Sequence, residues 1–99
     1  MIVIYDKKGF TKLLELDATR LAGADLRGVN LKDANLVQVD LSCADLRDAN
    51  LEGADLRLAN LSGANLLGAN LNNADLSMTD LSNVQIDSKQ PKIIPIIEQ

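Results

Sequence analysis

The feature that most constrains this chain is a repeat with a period of five residues. Between residues 44 and 76 the triplet Ala-Asp-Leu or Ala-Asn-Leu occurs seven times, and two variable residues separate each triplet from the next. Leu or Ile keeps the same phase from Leu16 to Ile86. A repeat of this kind decides the fold, because each unit must bury its apolar side chains against its neighbours.

A period of five fits neither an α-helix nor a flat strand. Five residues of helix turn through about 500°, so the leucines would scatter around the axis. On a strand an odd spacing would send successive leucines to opposite faces. A short extended piece followed by a turn does fit: Leu and the Ala two residues before it point inward, and the Asp or Asn between them points outward. The two residues after the Leu then form a corner, for which their Gly, Ser, Asn and Asp are suited.

The repeated triplets resemble those of the pentapeptide-repeat family, whose signature is A-[DN]-L-x-x and whose members are abundant in cyanobacteria. The resemblance implies an all-β fold, a right-handed quadrilateral parallel β-helix (solenoid) with four repeats per coil, about four coils and non-repeat caps at both ends. Nine triplets match the signature without substitution, and their central residues are Leu26, Leu36, Leu46, Leu51, Leu56, Leu61, Leu66, Leu71 and Leu76.

The leucine at the centre of each repeat is predicted to build the core. A narrow core tiled with Leu and Ala has no room for aromatic rings, and the sequence contains only one Tyr and one Phe. The predicted core leucines are Leu26, Leu31, Leu36, Leu41, Leu46, Leu51, Leu56, Leu61, Leu66, Leu71, Leu76 and Leu81.

The first two of three predicted segments are an N-terminal cap and the β-helix. Residues 1–15 are predicted to form a strand at 2–5 and a turn, with Ile4 and Phe10 closing the open end of the core. Such a cap is needed because an open coil end exposes unpaired backbone groups. The alternative is that this strand pairs with another molecule. The β-helix is predicted to span residues 16–86.

The third predicted segment, residues 87–99, is a C-terminal capping or docking tail. It is polar at first and then strongly apolar. Pro91 and Pro95 cannot donate ladder hydrogen bonds, so the tail could cover a sheet edge while discouraging further pairing. Docking into a partner or into a symmetry mate is the alternative.

Charge and composition narrow the choice of partners. The formal net charge is −4 and the pI is near 4.6, whereas nucleic-acid binding requires basic groups that displace counterions. The single cysteine, Cys43, cannot form an internal disulfide. No signal peptide or membrane span is visible. We therefore expect no direct nucleic-acid binding, no membrane association and a cytoplasmic location.

The residues needed for most catalytic chemistry are missing. The sequence contains no histidine, which removes the commonest general base and metal ligand. Carboxylate pairs such as Asp45 with Asp48, or Asp55 with Asp75, would lie on a convex, solvated rod. No phosphate-binding glycine motif occurs. We predict a protein that is not an enzyme, with no catalytic residue, no metal and no cofactor.

Stacking the repeats at intervals of 20 residues sorts the surface into four faces. One face places Val37, Leu58 and Met78 on the outside, with Asp55 and Asp75 beside them. Clustered exposed apolar residues mark interaction sites, so these five residues are the predicted partner surface; neutral variation is the alternative. The prediction is a non-catalytic scaffold that binds another protein and is itself a monomer or an end-to-end or face-to-face homodimer.

Another face stacks asparagines, which are predicted to form an amide ladder along the rod. These residues are Asn30, Asn50 and Asn70.

The family resemblance also implies an alternative function. Some members mimic B-form DNA and bind or inhibit DNA gyrase. A rod of about 18 Å covers only about half of a DNA turn, which disfavours this alternative. A minor alternative is ice binding, which needs a regular threonine array that the column from Ala22 to Ser82 only weakly matches. The residues that would stand in for phosphates are Asp25, Asp40, Asp45, Asp55, Asp75 and Asp80.

Overall fold

A computed structural model describes residues 1–87, which form a β-hairpin followed by a solenoid. Strand β1 spans Ile2–Tyr5 and strand β2 spans Lys12–Leu16. The described residues contain no helix, and so no segment among them that could cross a membrane as a helix. Apart from Asp87, the predicted C-terminal tail lies outside the described residues.

Each five-residue unit is a short extended piece closed by a tight turn. The turn begins at the central leucine, and the N–H group three residues later donates to the leucine carbonyl, as Ala54 does to Leu51 at 3.0 Å. The second residue after each leucine from Leu21 to Leu81 has a positive φ, and the first does not. This combination defines a type II turn, whose third residue must adopt the left-handed conformation.

The coils stack with a spacing of 20 residues, so four units make one coil. Parallel bridges join each outward Asp or Asn to the residue 20 positions later, from Asp25 with Asp45 to Asn65 with Gln85. Hydrogen bonds run on both sides of each bridge: Asp45 donates to the carbonyl of Ala24 at 2.9 Å and accepts from the N–H of Leu26 at 2.8 Å. The units from Leu21 onward make three full coils and begin a fourth.

The central leucines and the alanines before them fill the interior. Every central leucine from Leu26 to Leu66 is completely buried, and Leu71, Leu76 and Leu81 are buried as well. Thr79 takes an alanine position, and its hydroxyl donates to the carbonyl of Leu56 at 2.7 Å. This hydrogen bond satisfies the one polar side chain among the buried residues of the described chain, as burial of a hydroxyl requires.

The preference for Asp or Asn at the outward position has a local cause. At all twelve outward positions from 25 to 80, the side-chain Oδ1 accepts the backbone N–H two residues later, at 2.9–3.2 Å. Asp and Asn have the side-chain length that forms such an Asx turn. The bond ties the extended piece to the first corner residue.

The hairpin replaces a preceding coil at the N-terminal edge of the solenoid. Asp6 forms an antiparallel bridge with Ala34. The N–H of Asn35 donates to the carbonyl of Tyr5 at 2.9 Å, and that of Lys7 donates to the carbonyl of Asp33 at 2.8 Å. The carbonyl of Tyr5 thus takes the role that the coil before has in later coils, where the N–H of Asp55, for example, donates to the carbonyl of Ala34.

Two details of the predicted N-terminal segment need correction. Ile4 is buried in the core, but Phe10 is 87% exposed and does not close it. Phe10 lies in the hairpin loop, where Oδ1 of Asp6 accepts its backbone N–H at 2.9 Å, and this leaves the ring in solvent. Leu16 belongs to β2 and pairs with Ile2, so the regular stacking begins at Leu21, one repeat later than predicted.

Candidate functional site

The turn geometry restricts one residue of each corner most strongly. This is the second residue after the central leucine, which has a positive φ. Because coils stack every 20 residues, these positions form four columns along the rod. Three columns contain only Gly, Asp and Asn, apart from Cys43. Gly, Asn and Asp are the residues that adopt a positive φ most readily. Their composition therefore matches the backbone requirement.

The fourth column consists of Gln38, Leu58 and Met78, with φ between 59° and 63°. We call these three residues the Leu58 corner. A residue with a Cβ in the left-handed region costs about 1–2 kcal/mol, and burial does not offset this cost, because Leu58 is 50% exposed and Met78 is 81% exposed. Two large apolar side chains are thus held in solvent at backbone positions that suit Gly or Asn better.

An ion-paired rim lies beside the Leu58 corner. The guanidinium of Arg57 makes two hydrogen bonds with the carboxylate of Asp55, at 2.8 and 2.7 Å. Its Nε also lies 3.9 Å from Asp75 in the next coil. The hydrogen bond from Arg57 lowers the pKa of Asp55, and the hydroxyl of Ser77 lowers that of Asp75. Both carboxylates therefore stay ionised at neutral pH.

The structure brings four of the five predicted partner-surface residues together and separates one. Leu58 and Met78 occupy stacked corners, and Asp55 and Asp75 lie on the adjoining face. Val37 is one position earlier in its turn and is half-buried. Gln38, which the sequence interpretation did not single out, takes its place in the column. The 20-residue stacking rule together with the positive-φ position would have identified it.

The aspartates considered for DNA mimicry are largely engaged with neighbouring side chains. Arg27 pairs with Asp25 through two hydrogen bonds of 2.8 Å, and Arg47 pairs with Asp45 at 2.9 and 2.6 Å. The hydrogen bond from Arg27 lowers the pKa of Asp25 to about 2. Together with the Asp55–Arg57 pair, these contacts offset three of the six negative charges.

Two further expectations have direct structural outcomes. The predicted amide ladder is wrong: Oδ1 of Asn30, Asn50 and Asn70 accepts a backbone N–H in its own unit, and no side-chain bond joins the three amides. Cys43 is a free, exposed thiol. Within residues 1–87, no group of three or more His, Cys, Asp or Glu side chains is placed to hold a metal ion.

A parallel solenoid with four five-residue units per coil defines the chain as a β-helical repeat protein. The chain belongs to the pentapeptide-repeat family: the family model "Pentapeptide repeats" matches residues 19–57 and 49–85 in eight copies. Members of this family are right-handed quadrilateral β-helices, which confirms the predicted fold class. A comparison with curated proteins found no match.

Solved structures of the same family are similar to the chain. A pentapeptide-repeat protein of the Arabidopsis thaliana thylakoid lumen is 34% identical over 66% of this chain and 45% of its own, with a TM-score of 0.64. One from the cyanobacterium Cyanothece 51142 is 38% identical over 67% of this chain and 52% of its own, with a TM-score of 0.47. The chain thus spans about half the length of these proteins.

A more distant structure is that of QnrB1, a plasmid-mediated fluoroquinolone resistance protein. It is 22% identical over 78% of this chain and 42% of its own, with a TM-score of 0.43. Similarity at this level supports no statement about the function of the chain.

Proposed function

We propose that this protein is a non-catalytic scaffold that binds another protein through the Leu58 corner. The observation that supports the proposal most directly is the pair Leu58 and Met78, two exposed apolar side chains on left-handed backbone. Strained backbone that persists without a packing reason points to a functional role for the residue concerned. The other three corner columns provide the comparison within the same molecule, because at the same turn position they consist mainly of Gly, Asp and Asn.

The surroundings of the corner match the anatomy of a small protein interface. Leu58 and Met78 project from adjacent coils, so a partner with an apolar groove can take both side chains at once. Methionine adapts its shape to such a groove. Arg57, Asp55 and Asp75 supply a polar rim, and rims of this kind are typical of protein–protein contacts. We propose a protein partner, because the net charge of −4 does not suit a polyanionic one.

The test replaces the two apolar side chains without disturbing the turns. In the double variant Leu58→Asn and Met78→Asn, Asn tolerates the positive φ, so the fold is retained. We expect that a protein captured from a native host extract by the immobilised wild type is lost with this variant.

The matched control is Cys43→Asn, which makes the same kind of replacement at the same turn position of another column. It should leave capture unchanged. Equal capture by the wild type, the double variant and the control would contradict the proposal.

A further inference from the structure

The N-terminal hairpin exposes much of the large apolar surface of the described chain. Met1, Val3, Tyr5 and Phe10 are exposed, compared with only Leu58, Leu67 and Met78 in the coils. Both aromatic residues of the protein are among them, with Tyr5 46% exposed. Exposed aromatic side chains are enriched where proteins contact one another. The hairpin is therefore a second candidate interface, separate from the Leu58 corner.

Strand β2 is an edge strand. It pairs with β1 alone among the described residues, whereas the chain just after β1 also pairs with the first coil, through Asp6 and Ala34. An unpaired strand edge is a template for pairing with another chain. The half-buried Leu13, Leu14 and Leu16 leave apolar surface on the same strand that such pairing would cover.

The charges on β2 are complementary to their own two-fold copy. Lys12 and Glu15 are paired with Tyr5 and Val3 of β1, and a register shift between Ile4 and Tyr5 interrupts the regular alternation between them. All four side chains therefore share the outward face of the hairpin, although Lys12 and Glu15 are three residues apart. Suppose that two β2 strands run antiparallel, with Lys12 of one copy opposite Glu15 of the other. Two-fold symmetry then also places Glu15 of the first copy opposite Lys12 of the second. Two intermolecular ion pairs then form at one interface. In the monomer, Lys12 and Glu15 contact each other at 2.6 Å and remain half-exposed, so both are available at the edge.

We propose that β2 pairs antiparallel with β2 of a second copy of this chain and joins two hairpins into one four-stranded sheet. Because Lys12 and Glu15 of β2 match Glu15 and Lys12 of a second copy, a second copy of this chain is the partner expected to pair with this strand edge. The exposed side chains of Val3 and Tyr5 extend across the outer face of that sheet. This contact uses no residue of the Leu58 corner, so it does not rest on the function proposed above.

The test is a charge-reversal series measured by light scattering on a size-exclusion column over a range of concentrations. The wild type should dimerise. Lys12→Glu or Glu15→Lys alone places like charges opposite each other twice per dimer and should weaken dimerisation about tenfold or more. An equimolar mixture of the two variants restores opposite charges at both positions and should regain dimerisation to within about threefold of the wild type.

The mixture separates the proposed contact from a folding defect. Both single variants lose the same Lys12–Glu15 contact within the monomer, and mixing cannot repair that loss. A wild type that is monomeric at every concentration overturns the proposal. So does a dimer that survives both charge reversals, or one that disappears in the Leu58→Asn and Met78→Asn variant instead.

Discussion

The coils and the hairpin bury their apolar residues by different rules. In the coils, the place of a residue within its five-residue unit decides whether it is inside or outside, and every central leucine from Leu21 to Leu81 is buried. In the hairpin only Ile4 is fully buried, while Ile2, Leu13, Leu14 and Leu16 are half-buried. Repetition makes the coils predictable unit by unit, whereas burial in the hairpin depends on where it contacts the first coil.

The largest expected effect is seen when a substitution inside a coil is compared with one on its surface. Leu51 is completely buried, so Leu51→Ala should lower the free energy of unfolding by about 2–5 kcal/mol through lost burial and a cavity. Asn50→Ala, one residue away, removes only the side-chain acceptor for Glu52 and should cost about 1 kcal/mol. Urea unfolding measures both. Equal costs would overturn the assignment of inside and outside.

The next effect separates two residues of the hairpin that the sequence interpretation treated alike. Ile4→Ala should cost about 2 kcal/mol, because Ile4 is packed in the core. Phe10→Ser should change the free energy of unfolding by less than about 0.5 kcal/mol, because the ring lies in solvent. The same urea titration compares the two. A large cost for Phe10→Ser would place this ring in the core, contrary to the structure.

A stabilising substitution tests the strain at the Leu58 corner. Leu58→Asn and Met78→Asn together should raise the free energy of unfolding by about 1 kcal/mol, since Asn adopts a positive φ more easily than Leu or Met. The gain is partly offset by lost contacts of the half-exposed Leu58. Thermal and urea unfolding provide the measurement. A loss of more than about 1 kcal/mol would show that the two side chains hold the coils together.

The smallest expected effect is a decrease in the free energy of unfolding of the coils at low pH. The hydrogen bond from Arg27 lowers the pKa of Asp25 to about 2 in the folded chain, below the unfolded value of about 3.9. A depressed folded pKa stabilises the fold above the unfolded pKa, and this stabilisation is lost as pH falls through the folded pKa. Stability should therefore fall between about pH 4 and pH 2.

Asp25→Asn is the matched control for the acid effect. Asn at the same unit position elsewhere, such as Asn30, accepts the backbone N–H two residues later, so the substitution keeps the Asx turn and removes only the titrating charge. The variant should lose less stability than the wild type over the same pH interval. Identical acid profiles for the two proteins would show that this ion pair does not couple to folding.

Much of the solenoid could be predicted from the sequence because its rules are local. The five-residue period decides which side chains share the interior, and the family signature implies four units per coil. The bonds that hold each unit are also local, as Asn50 with Glu52 and Ala54 with Leu51 show. The predicted asparagine ladder is wrong, because the backbone N–H two residues later lies nearer to each side-chain oxygen than the neighbouring coil does.

The sequence alone determined the repeat, the buried leucines and the outward position of Asp and Asn, because each follows from a unit of five residues. Only the tertiary structure decided that Phe10 stays in solvent, that Leu16 joins β2 and that Leu58 and Met78 lie on backbone with a positive φ. These outcomes depend on where the hairpin meets the first coil and on the sign of φ at each corner. The hydrophobic period encodes neither the position of the hairpin nor the sign of φ. The position of the hairpin arises from contacts between residues that are distant in the chain, and the sign of φ arises from the turn geometry that such contacts select.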